Sequence, residues 1–64
     1  MYRMRTDRPT IYYTELMKNL VGIEESELLE IIKSKKICDK QTAYYITKVI
    51  SSDSEIEDYF ERVS

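Results

Sequence analysis

Lys40, Gln41, Tyr44, Thr47, Lys48 and Ser51 are spaced to share one side of a helix, at i, i+1, i+4, i+7, i+8 and i+11. Their polar groups suit a nucleic acid. Gln41, Thr47 and Lys48 carry donors and acceptors that match base edges, whereas Lys40 and Tyr44 suit phosphate oxygens. Lys33, Lys35 and Lys36 come just before this stripe and could grip a phosphate backbone. Arg3 and Arg5, in the segment Tyr2-Arg3-Met4-Arg5, suit insertion into a minor groove. An ordinary solvated helix face is the plainer alternative for the stripe, and a loose terminus is the plainer alternative for the arginines.

Charge sorted by segment favours the first reading over what the total charge of −2 implies. Residues 33–48 hold five lysines against Asp39. The preceding segment, 15–32, holds five glutamates against Lys18, and the following one, 49–64, holds five acidic residues against Arg62.

Other chemistries find little footing. There is no histidine, no glycine-rich phosphate loop and no nucleophile at a recognisable spacing from a base, so an enzyme is not expected. Glu24, Glu25, Glu27 and Glu30 read better as a solvated helix face than as paired catalytic carboxylates. Cys38 is the single cysteine, which excludes an internal disulfide and leaves no partner for a structural zinc. Nearby Lys35, Lys36 and Lys40 could activate its thiol, but a free cysteine more often packs as a small hydrophobe. No cofactor or metal is expected. No apolar run is long enough for a membrane span, and the first residues lack a signal-peptide pattern, so a cytoplasmic protein is expected.

The elements that must position the stripe follow from periodicity. Sixty-four residues allow one domain, and a single glycine with a single proline favours helices over a turn-rich β fold. Residues 1–9 read as a flexible basic arm and residues 10–64 as the helical domain. From Thr10, two rows (Tyr12, Leu16, Leu20 and Tyr13, Met17, Val21) form the broad stripe of an amphipathic helix that Gly22 stops. A second helix is expected from about Glu24 to Lys33, with Leu28, Leu29 and Ile32 buried. Residues 34–38 form a connection with Ile37 turned inward. Asp39 is the expected N-cap of a third helix reaching Ile50, which buries Ala43, Ile46 and Ile50, with Tyr45 and Val49 alongside. Ser52 to Glu55 fits a capping box for a last helix bearing Ile56, Tyr59, Phe60 and Val63. The expected fold is therefore all-α, a compact bundle of four short helices.

Residues 16–32, LMKNLVGIEESELLEII, resemble the first two helices of the lambda-repressor/Cro (XRE-like) type of helix-turn-helix proteins. Gly22-Ile23 stands where that pattern closes helix 1, and Glu27-Leu28 where it opens helix 2. The resemblance covers about residues 11–62. It implies a helix-turn-helix DNA-binding regulator in which residues 39–50 lie in the major groove of double-stranded DNA. It also implies a homodimer, because one such small module makes few contacts. The chain is similar in general look to small proteins of phages and mobile elements.

The sequence departs from the family at three places. Leu29 stands where a small residue is usual, Glu24 replaces a serine or threonine cap, and Lys33–Cys38 replaces a tight glycine-containing turn. A rival placement, with residues 24–33 as the reading helix, would turn four glutamates toward phosphates and fails on charge. The alternative function is a protein-interaction module, such as an antirepressor or a phage-coded inhibitor, acting through the acidic helices on a basic regulator protein.

Overall fold

The computed structural model describes residues 1–20 and 25–63. The element order is β1 (Tyr2–Met4), α1 (Thr10–Leu20), α2 (Glu25–Lys33), α3 (Lys40–Ile50), α4 (Ile56–Tyr59) and β2 (Phe60–Arg62). The expected helix stop at Gly22 and the helix 2 start at Glu24 lie outside the described residues.

The all-α expectation is corrected by a two-stranded antiparallel sheet. β1 pairs with β2 in the register Tyr2 to Arg62, Arg3 to Glu61 and Met4 to Phe60. Residues 2–5 alternate apolar and cationic, the period of a strand with one buried face. Met4 and its cross-strand partner Phe60 are buried, while Arg3 and Glu61 turn outward and pair at 2.9 Å. The basic segment thus carries a strand that closes the fold, rather than a loose arm. Its other edge is occupied too: Tyr2 N–H donates to the Cys38 carbonyl at 2.7 Å, and Cys38 N–H donates to the Tyr2 carbonyl at 2.8 Å.

The expected last helix shrinks to a single turn. Its capping box uses Glu55 and Asp58 instead of Ser52 and Glu55, and Phe60 is already extended at φ −125° and ψ 150°. One turn of helix is expensive to nucleate by itself. Leaving the helix at Phe60 lets the chain pair with β1 and bury Phe60.

The three longer helices surround one core made by Met4, Tyr13, Met17, Leu28, Ile31, Ile32, Cys38, Ala43, Ile46, Ile56 and Phe60. α1 packs on α2 and α3, β1 touches both α2 and α3, and α4 packs on α3. Of the two expected α1 rows, Tyr13 and Met17 point inward with Thr14, while Tyr12 and Leu20 are exposed and Leu16 is half-buried; Val21 lies outside the described residues. α2 buries Ile31 in addition to Leu28 and Ile32, and Leu29 is half-buried. In the connection, Cys38 is buried, as a packed cysteine would be, whereas Ile37, expected to turn inward, is exposed. The reason is the Tyr2 bridge: pairing at Cys38 fixes its side chain toward the core, and its neighbour then faces out. α3 spans the expected residues, capped by Asp39, whose carboxylate accepts from Thr42 N–H at 2.8 Å.

Two substitutions test this packing. Met4→Ala is expected to cost about 2–5 kcal/mol, as for other large-to-small changes in a core. That is much of the roughly 3–10 kcal/mol available to a chain of this size. Arg3→Ala should cost about 1 kcal/mol or less, the worth of an exposed ion pair. Urea unfolding of both variants checks the contrast, and a mild Met4→Ala would mean that β1 does not hold the core.

Candidate nucleic-acid interface

The structure divides the expected site residues into three groups. The first is the exposed face of α3, where Lys40, Gln41 and Tyr44 all point to solvent and Lys48 is partly covered. Tyr45 joins this face, with 49% of its surface exposed, although its place beside the apolar row had assigned it to the core. The spacing held the signal, since Tyr45 lies at i+4 from Gln41. α3 contains no acidic residue, and its cap Asp39 is the one carboxylate directly adjoining it in sequence.

Thr47 forms the second group alone and is corrected as a contact residue. It is fully buried beside Ala43 on the core side, and its hydroxyl has no hydrogen-bond partner among the described residues. A stripe at i, i+4, i+7 and i+8 is wide enough for its edge to turn inward, which is where Thr47 falls.

The third group holds cations that are already engaged within the chain. Lys48 Nζ donates to the Ser54 carbonyl at 2.8 Å and the Ser52 carbonyl at 3.3 Å, and lies 5.3 Å from the centre of the Tyr44 ring. Lys35 takes a left-handed turn at φ 58° where the connection has no glycine. Its Nζ donates to Thr10 Oγ1 at 2.9 Å and so ties the end of α2 to the start of α1. Lys36 lies 3.6 Å from Glu27 and 3.8 Å from Glu30. Arg3 pairs with Glu61, and Arg5 clasps both oxygens of Asp7 at 3.1 and 3.0 Å while reaching the Glu57 carbonyl. Neither arginine is held ready for a minor groove. Lys33 and Lys40 are exposed and have no such partner among the described residues.

The electrostatics of the α3 entrance are set by hydrogen bonding. Bonds from Thr42 hold the Asp39 carboxyl below the usual carboxylate range, so it stays ionised as a cap. Burial, with the Asp39 charge as a smaller cause, pushes the Cys38 thiol up, which keeps it protonated and unreactive despite the lysines nearby in sequence. Among the described residues no group of acidic or cysteine side chains is placed to hold a metal ion, and no helix is long and apolar enough to cross a membrane.

The Thr47 and Asp39 environments each predict a measurable effect. Thr47→Val should raise stability by about 1 kcal/mol or more, because it removes a buried hydroxyl with no partner and keeps the shape. A loss of stability in urea unfolding would mean that this hydroxyl is satisfied. For Asp39, a folded pKa below the unfolded value gives a contribution that is fully present above the unfolded value, near pH 4. It is lost as pH falls through the folded value. Asp39→Asn, which keeps a capping oxygen, should therefore flatten the acid limb of the Tm–pH profile while leaving Tm at neutral pH close to that of the parent. An unchanged acid limb would remove Asp39 as its source.

Compared with protein-family models, with curated proteins and with solved structures, the chain has no match.

Proposed function

We propose that this chain is a small sequence-specific DNA-binding protein, a transcriptional regulator of phage or mobile-element type, that lays the exposed face of α3 in the major groove. The observation that carries the reading is the acid-free face of Lys40, Gln41, Tyr44, Tyr45 and Lys48 on a capped helix of 11 residues. A helix of that length fits a major groove, and glutamine and lysine supply the donors that read adenine and guanine edges. Lys33 and Lys40 are the cations left to meet phosphates. Lys48 helps by shaping the face through its hold on the 52–54 turn. On this reading the protein is a cytoplasmic binding protein rather than an enzyme.

Two cations are few for useful affinity, so the proposal includes a homodimer. Two copies would place two α3 helices on half-sites about one helical turn, or 34–36 Å, apart. The longest dimension of one copy is 30 Å, which is compatible with that spacing. The final segment is committed to pairing with β1, so the dimer would use another surface.

Titration with duplex DNA tests the reading. Amide shifts should centre on residues 40–45, and log K should fall with log salt at a slope of about −2 per chain, for two phosphates at about −0.9 each. Lys40→Ala should reduce that slope by about one. Arg3→Ala and Thr47→Val should leave it unchanged. Absence of shifts on α3 at low salt would sink the proposal.

A further inference from the structure

We infer that the groove between α2 and the first turns of α3 is a docking site for a short partner segment in which an aliphatic side chain is flanked by lysine or arginine. The groove encloses about 890 Å³. Its floor is the buried edge of the core, Leu28 and Ile31 from α2. Its walls are Met1, Ile37 and Tyr45, which are 55%, 48% and 49% exposed and so keep much of their apolar surface in water. Bringing three such side chains around one concavity leaves an unfilled apolar site, the form that ligand sites usually take.

Charge selects the occupant. Among the described residues, the charged side chains lining the groove are Glu27 and Asp39, both carboxylates. Glu27, at the rim, shares the ammonium of Lys36 with Glu30 one turn further along α2, so this stretch of α2 keeps an excess negative charge. Asp39 is already engaged by Thr42, whose N–H donates to its carboxylate at 2.8 Å. The N-terminal ammonium is near enough to help hold Asp39 ionised, so the stronger attraction for an arriving cation lies at Glu27 and Glu30. An aliphatic side chain would fill the space above Leu28 and Ile31, and flanking cations would meet the rim. An acidic segment would be repelled at the Glu27 end of the groove.

The occupant is distinct from DNA, and the inference stands without the DNA-binding reading. Gln41 and Tyr45 line the groove and also belong to the exposed α3 face, so the two surfaces share an edge.

The test uses the whole chain, isotope-labelled, with three peptide probes: Lys-Lys-Leu-Leu-Lys-Lys, Glu-Glu-Leu-Leu-Glu-Glu and Lys-Lys-Ser-Ser-Lys-Lys. Saturable shifts at Met1, Leu28, Ile31, Ile37 and Tyr45 are expected with the first alone, and both controls should bind more weakly by roughly tenfold or more. Ile37→Ser, at an exposed wall, and Glu27→Lys, at the rim, should each weaken the first peptide by a similar factor. Ile11→Ser, on the exposed side of α1, should not. Equal binding of the acidic or the serine peptide would overturn the proposal. So would shifts centred on Glu57 and Asp58, or concentration-dependent shifts in the same groove without peptide, which would assign it to a second copy of this chain.

Discussion

The fold depends on β1 being paired along both of its edges. One edge meets β2, near the far end of the chain, and the other meets Cys38, in the connection between α2 and α3. A 64-residue chain with one cysteine and no histidine has neither an internal disulfide nor a cysteine–histidine zinc set to fasten it. Strand pairing supplies the fastening. It also converts the connection from a free linker into a positioned segment, because the two bonds between Tyr2 and Cys38 stand one residue before the Asp39 cap. The start of α3, and hence the direction of its exposed face, is therefore set by residues at the N-terminus. The contacts span most of the chain, and loop-closure entropy makes such pairing late in folding relative to local helix formation.

The same constraint redistributes charge. Pairing brings Arg3 opposite Glu61, and the turn after β1 lets Arg5 hold Asp7. Lys35 and Lys36 are drawn to α1 and α2 by the left-handed turn that Lys35 takes where no glycine is present. A segment with five lysines thus presents a weaker external field than its sequence implies. Exposed pairs like these add little stability, yet each one places a carboxylate beside a cation that a polyanion would otherwise meet. What remains is a face with few charges, whose recognition would rest on Gln41, Tyr44 and Tyr45 more than on Coulomb attraction.

The helices were legible in the sequence where capping and periodicity agreed. Asp39 announced α3 because an aspartate before a helical run has a definite role at its first turn, and the span to Ile50 followed. On α2, periodicity found Leu28 and Ile32 but missed Ile31. The sheet was harder to see because each strand has three residues, too few for alternation to outweigh a competing period. Ile56, Tyr59, Phe60 and Val63 satisfy helical spacing on paper, but Phe60 gains more by leaving the helix and packing against Met4. The alternation Tyr2-Arg3-Met4-Arg5 was the available signal, and its charge drew attention away from its period. At the candidate site, local spacing found the α3 face but could not say which rim turns inward. That depends on where α1, α4 and the sheet sit, and it moved Thr47 into the core and Tyr45 out of it. The groove had no sequence signature at all, since Met1, Ile37 and Tyr45 are brought together by the Tyr2–Cys38 bridge.

The shared edge at Gln41 and Tyr45 joins the two proposals physically. A DNA backbone approaching α3 from the groove side would pass Glu27 and Asp39 and be repelled, whereas from the opposite side it would meet Lys48 held beside Tyr44. The favourable approach is therefore the one that leaves the groove open. A basic segment seated in the groove would then act in two opposing ways. It would neutralise the carboxylates that repel phosphates, and it would cover Gln41 and Tyr45, which the DNA face needs. Steric cover acts at contact and is absolute, while the Coulomb gain is screened within about 8–10 Å at ordinary salt. Competition outweighs assistance, so a partner of the proposed chemistry would release the DNA face rather than strengthen it.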